Sequence, residues 1–171
     1  MTSYLRLEVP SMKELVIYDS AFGNTEQIAN TIGSTLGSPD EIAVLRVGEV
    51  KMEGLTGLEL LIVGSPTQRF KPTEAMSDFL KRIPANWLQG TNVAAFDTRL
   101  TIEEIEETRS LAFFVRFFGY AAQPIANKLK KKGGELIAAP EGFYVQGMKG
   151  PLVEGELERA AAWARQIIAT K

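Results

Sequence analysis

Short apolar runs alternate with helix-patterned stretches along most of the chain, and this alternation constrains the fold more than any other feature. The first run, Glu14–Tyr18, leads into a helical pattern from Thr25 to about Leu36, with Ile28, Ala29, Ile32 and Leu36 on one side. The second, Ile42–Val47, is followed by a crossover from Gly48 to Gly57 that is too punctuated by glycine to read as a helix. The third, Leu60–Val63, ends in Gly64-Ser65-Pro66-Thr67. Met76, Phe79, Leu80 and Ile83 then fall at i, i+3, i+4 and i+7, and Pro84 closes that helix. A fourth run is Val93–Asp97, and a fifth is split at Pro140 into Leu136–Ala138 and Gly142–Gln146. Strands that are apolar throughout are buried on both faces, and parallel neighbours need crossover connections between them. The pattern predicts an α/β fold: a doubly wound three-layer sandwich with a five-stranded parallel sheet in the order 2-1-3-4-5.

The interval between the fourth and fifth runs is long for a simple crossover. Thr101 and Glu104 form a capping box that opens a helix carrying Glu103, Glu106 and Glu107. Carboxylates at a helix start favour the macrodipole, so they read as a solvated face rather than a catalytic cluster. A second helix, roughly Ala121 to Lys132, carries Ala122, Ile125, Ala126 and Leu129 and ends in Lys130-Lys131-Lys132-Gly133-Gly134, a basic last turn with a glycine stop. Between them, "SLAFFVRFFGYAA" (110–122) packs four phenylalanines around Arg116. Core burial, a homodimer surface, a cover over a ligand and peripheral membrane contact all fit that composition. The last helix, about Glu154 to Ala169, places Leu157, Ala160, Ala161, Ala164, Ile167 and Ile168 on its inner face.

Composition narrows the chemistry. The chain has 171 residues, which fits one domain over 13–171 with 1–12 as an N-terminal extension. Cysteine and histidine are both absent, so thiolate catalysis, Cys/His zinc sites and histidine-based triads are excluded. A formal net charge of −2 and the lack of a basic stripe argue against nucleic acid as a partner. No run approaches the ~18 apolar residues of a membrane span, and Met1–Met12 lacks the apolar core of a secretory signal. A cytoplasmic location is expected.

In a doubly wound sheet, ligands bind beyond the carboxyl ends of the strands where the crossovers change sides. For the order 2-1-3-4-5 that crevice lies between strands one and three, with strand four beside it. The loops there are Ser20–Thr25, Pro66–Pro72 and Thr98–Leu100. The first has no lysine and matches neither a P-loop nor a dinucleotide fingerprint. Free N–H groups of a helix's first turn, with Ser20 and Thr25 hydroxyls and the Asn24 amide, suit a terminal monoester phosphate. The alternative is a plain helix N-cap by Ser20 or Thr25.

The loop "SAFGNT", the strand end "GSPT" and the third segment "FDTR", in that order at successive strand ends, resemble the flavodoxin-like FMN-binding proteins. The resemblance runs from about Lys13 to Ala169. It implies that Ser20, Ala21, Phe22, Gly23, Asn24 and Thr25 wrap the phosphate of FMN. It also implies that Pro66, Thr67, Gln68, Arg69 and Phe70 flank one side of the ring system and Asp97, Thr98 and Arg99 the other. Two departures stand out: Phe22 occupies a position usually Ser or Thr, and "TQRFKPT" carries Phe70 where relatives often have a glycine or an aromatic. Phe70 either stacks on the flavin or packs into the neighbouring helix. The resemblance implies electron transfer with a redox partner protein or a small-molecule acceptor, with no side chain in an acid–base role and no metal. An FMN-dependent NAD(P)H or quinone reductase and a flavin-free interaction domain are the alternatives. Arg69, Lys71 and Arg99 would set cations around the ring, which favours the reduced anion, a raised potential and a negatively charged partner. Otherwise these side chains point to solvent or pair with Glu74 and Asp78.

Overall fold

A computed structural model describes residues 12–101 and 119–171. Residues 102–107 of the glutamate-rich helix start, most of the phenylalanine-rich stretch expected at 110–122, and residues 1–11 of the N-terminal extension lie outside the described residues.

Strand β1 (Glu14–Tyr18) pairs in parallel with β2 (Ile42–Arg46) on one side and β3 (Leu60–Pro66) on the other. Strand β4 (Asn92–Leu100) lies beside β3, and its far edge is shared by β5 (Glu135–Leu136) and β6 (Glu141–Val145), all parallel. The order is β2-β1-β3-β4-β5, with β6 continuing along β4 beyond β5, so the split at Pro140 expected from the sequence is present. Helices α1 (Asn24–Leu36), α2 (Glu74–Arg82), α3 (Ala122–Lys131) and α4 (Glu156–Thr170) cover the sheet. The glycine-punctuated crossover after β2 forms only two short 3-10 turns, Val47–Glu49 and Met52–Leu55.

The period-two alternation of the strands divides the core into two layers. Leu15, Ile17, Leu61, Val63, Val93 and Ala95 face α2 and α3, where Met76, Phe79, Leu80, Ile125, Ala126 and Leu129 meet them. Val16, Tyr18, Leu60, Ile62, Ala94 and Phe96 face α1 and α4. In that second layer Phe96, Phe143 and Trp163 meet edge to face, with ring centres 6.1–6.2 Å apart. The lysine run after α3 is a helix terminus: Gly134 N–H donates to the Leu129 carbonyl, and Gly133 has φ +100°.

Two expectations shift. In α4 the buried stripe is Glu156, Ala160, Trp163, Ala164 and Ile167, whereas Leu157 and Ile168 are exposed. These two sit at the borders of the apolar stripe, and Trp163 fills the layer against Phe96 and Phe143 instead. Strands β3 and β4 also run further than their apolar cores suggest. Gly64, Ser65 and Pro66 pair with Phe96, Asp97 and Thr98, and β6 offers ladder partners as far as Leu100. The segment "DTR" is therefore strand, not loop.

Gly64 permits the closest packing in the sheet. A Cβ there would lie 2.0 Å from Phe96 Cζ, inside a ring already fixed by two aromatic neighbours. Gly64→Ala is expected to destabilise the fold by about 1–3 kcal/mol through overpacking, read as a lower urea midpoint with an unchanged slope.

Candidate functional site

The carboxyl ends of β1, β3 and β4 open into a cavity of about 540 Å³, within the range of small-molecule and cofactor sites. Ser20, Ala21, Phe22, Asn24 and Thr25 line it from the first loop, Pro66 to Phe70 from the second, and Thr98, Arg99 and Leu100 from β4. Of the residues expected from sequence, Gly23 and Asp97 do not line it. Leu100, at the end of the third expected loop, also lines it, as do three residues not expected from sequence: Tyr120, Val145 and Met148.

One end gathers hydrogen-bond donors of the kind that suit an anion. Gly23 is the N-cap of helix α1, and its φ of +90° bends the chain into the first turn with no side-chain cap, so the plain N-cap reading of Ser20 or Thr25 does not hold. Among the described residues the N–H groups of Asn24, Thr25 and Glu26 have no protein acceptor, as the first turn of a helix leaves them. Ser20 Oγ accepts the Gly23 N–H at 3.0 Å and keeps its own proton to donate. Thr25 Oγ1 and Thr98 Oγ1 lie 2.8 Å apart; one proton joins them and the other stays available. The Asn24 amide instead donates to the Lys149 carbonyl at 3.1 Å, tethering the turn after β6. Gly150 is needed beneath it, since a Cβ there would lie 2.4 Å from Asn24 Oδ1.

The other end is an apolar slot. Its second-loop wall is a two-residue hairpin: Gln68 N–H donates to the Lys71 carbonyl at 2.8 Å and Lys71 N–H returns the bond at 3.0 Å. Arg69 (φ 47°) and Phe70 (φ 67°) are both left-handed, the signature of a type I′ turn, which normally takes Asn-Gly. Bulky residues in that region cost on the order of 1–3 kcal/mol each. The hairpin is anchored by the Thr67 N–H to the Thr98 carbonyl at 2.9 Å and by the Ala121 N–H to Thr67 Oγ1 at 3.0 Å. Phe70 is half-buried and lines the cavity.

The opposite wall carries a charge turned inward. Arg99 forks onto Asp97 (Nε to Oδ1 2.6 Å, Nη2 to Oδ2 2.7 Å), and its guanidinium lies 3.7 Å from the Tyr120 ring centre. Asp97 is fully buried and also accepts the Ala122 N–H at 2.8 Å, so its carboxylate faces the start of α3 rather than the cavity. Burial pushes its carboxyl above the ordinary value, and Arg99 and the Ala122 N–H oppose the rise. Gly142 makes room for this pair: a Cβ there would sit 2.2 Å from the Arg99 guanidinium carbon. Tyr120 was not legible as a wall residue because it follows β4 by twenty positions, inside the phenylalanine-rich stretch. Neither Arg69 nor Lys71 is ion-paired to Glu74 or Asp78 among the described residues; Asp78 lies 3.5 Å from Lys81 instead. No group of acidic residues that could hold a metal occurs among the described residues.

A parallel sheet in this order with a cavity at its switch point defines a doubly wound α/β domain. A family model for the flavodoxin domain matches residues 15–151. The chain belongs to that family, whose members are flavin-binding electron-transfer domains. The structure is similar to a flavodoxin from the domain Archaea (24% identity, 92% of this chain and 97% of that one, TM-score 0.71). It is similar to flavodoxin 2 from Bacillus cereus (23% identity, 93% and 99%, TM-score 0.70). It also matches part of rubredoxin oxygen:oxidoreductase from Desulfovibrio gigas (18% identity, 92% of this chain and 36% of that one, TM-score 0.65).

Breaking the wall pair should be costly. Asp97→Asn leaves a guanidinium only 17% exposed without its counter-charge, and a loss of about 3 kcal/mol is expected in denaturant unfolding. Asp97→Asn combined with Arg99→Met should recover part of that loss.

Proposed function

We propose that the protein binds FMN in this cavity, with the phosphate on the Ser20–Thr25 loop and the ring system between Phe70 and Tyr120, and passes electrons to a negatively charged partner. The observation that carries this reading is the division of one cavity into an anion end and an apolar slot. Three unpaired N–H groups and two hydroxyl protons converge at one end, and aromatic rings bound the other. Bound flavin would supply the redox chemistry; the chain binds, orients and shields it.

The protein's own part lies in the wall charges. Arg69 and Arg99 line the cavity, and no carboxylate does so among the described residues. Arg99 is matched by Asp97, so its net field at the ring is small. Arg69 is exposed and has no ion pair or side-chain hydrogen bond among the described residues, which leaves it as the cation that acts on the site and its mouth. Around that mouth, Phe22 is 56% and Met148 83% exposed, and Lys149 Nζ lies 5.9 Å from the Phe22 ring centre. An apolar contact with cations beside it suits an acidic redox protein or an anionic small acceptor.

Titration of the full-length chain with FMN should quench flavin fluorescence at one equivalent, with riboflavin bound at least tenfold more weakly because it lacks the phosphate. Equal affinity for the two, or no binding, would remove the reading. Rapid reduction by NAD(P)H in stopped flow would instead favour a reductase. Arg69→Asn separates two effects of one residue. Asparagine tolerates the left-handed backbone, so the fold should gain about 0.5–1 kcal/mol. Removing the charge should lower the two-electron potential by on the order of 10–30 mV at low salt, an effect that shrinks as salt screens the site.

A further inference from the structure

Asp19 immediately precedes the anion loop, and a carboxylate there opposes anion binding through charge repulsion. It does not line the cavity, and it is buried. Its bonding explains its presence. Oδ1 accepts the Ser20 N–H at 2.9 Å and faces Arg46 Nε and Nη2, each at 3.3 Å. Arg46 Nη2 also donates to the Ser20 carbonyl at 2.5 Å, so one guanidinium neutralises the carboxylate and holds the first residue of the loop. Oδ2 accepts the Thr73 hydroxyl at 2.6 Å.

Thr73 is the far end of the second loop. It caps α2, accepting the Met76 N–H at 3.2 Å, and its own N–H donates to Ser65 Oγ at 3.0 Å. Ser65 and Thr73 bracket the segment that holds the Gln68–Lys71 hairpin. A single carboxylate therefore ties the start of the anion loop to both ends of the ring-side loop, from behind the cavity and without touching its contents.

We propose that Asp19 is a positioning residue that couples the two loops, so that the preference for a phosphate-bearing flavin depends on Thr73, which has no hydrogen bond to the anion loop. This rests on the FMN reading above. The alternative role for Thr73 is as an N-cap of α2 only, in which case its loss lowers stability and leaves ligand preference alone. The alternative role for Asp19 is electrostatic only, in which case Asp19→Ala strengthens FMN binding by removing repulsion.

The test uses the full-length chain and measures dissociation constants for FMN and riboflavin, together with urea unfolding, in six proteins. These are the wild type, Thr73→Val, Thr73→Gly, Thr73→Ser, Asp19→Ala, and Asp19→Ala combined with Thr73→Val. Glycine is included because a helix N-cap tolerates it well, so that variant folds even where valine does not. Thr73→Val and Thr73→Gly should each cut the FMN-to-riboflavin preference at least fivefold, mainly through FMN, while Thr73→Ser retains it. In the Asp19→Ala background, Thr73→Val should change the preference by less than twofold. A preference within twofold of wild type in Thr73→Gly, or independent multiplication of the Asp19 and Thr73 effects, would overturn the coupling while leaving FMN binding intact. A wild type with no preference for FMN would overturn the FMN reading itself, and the coupling with it.

Discussion

The parallel register of β1, β3 and β4 is the constraint on which everything else depends. Tyr18 lies opposite Gly64, and Gly64 opposite Phe96, so the three strands leave the sheet at one edge and their loops meet there. The ladder then continues on β3 and β4, through Ser65–Asp97 and Pro66–Thr98, which turns the third wall of the cavity into sheet. A wall of strand holds its side chains more firmly than a loop would. Thr98 can therefore meet Thr25 from a neighbouring element at 2.8 Å.

Charge is placed at this edge as matched pairs at two points. Asp97 and Arg99 close on each other inside the wall and present a flat, nearly neutral surface beside Tyr120. Asp19 and Arg46 do the same behind the anion loop, with Arg46 reaching in from a half-exposed position. Both buried carboxylates are matched by guanidinium, whose fork can meet a carboxylate and a carbonyl at once. What remains to act on a bound anion is mostly backbone: the first turn of α1 and the dipole behind it.

Much of this was legible in the sequence, for identifiable reasons. Strand β1 and the run Met76–Ile83 are fully apolar on the buried side, and Pro84 marks the end of α2 without ambiguity. The loops after β1 and β3 could be placed because strand ends and small polar residues coincide. The extension of β4 through Thr98–Leu100 could not, since Arg99 and Leu100 are paired by β6, more than forty residues later. Tyr120 and Met148 come from connections whose path is set by tertiary contact, not by local pattern. The inward turn of Arg99 was equally hidden: a charged residue on a strand end reads as solvated until the buried Asp97 and the open space above Gly142 are seen together.

That open space has a consequence for how such a chain can change over generations. Gly142 pairs with Asp97 across the ladder, and Arg99 lies folded over it. The three positions are expected to be coupled, since each sets the space or the charge that the next one meets. A side chain at 142 requires the Arg99 guanidinium to move or shorten, and either change leaves the buried Asp97 carboxylate without its fork. Substitution at this corner is therefore expected to run from 97 through 99 to 142.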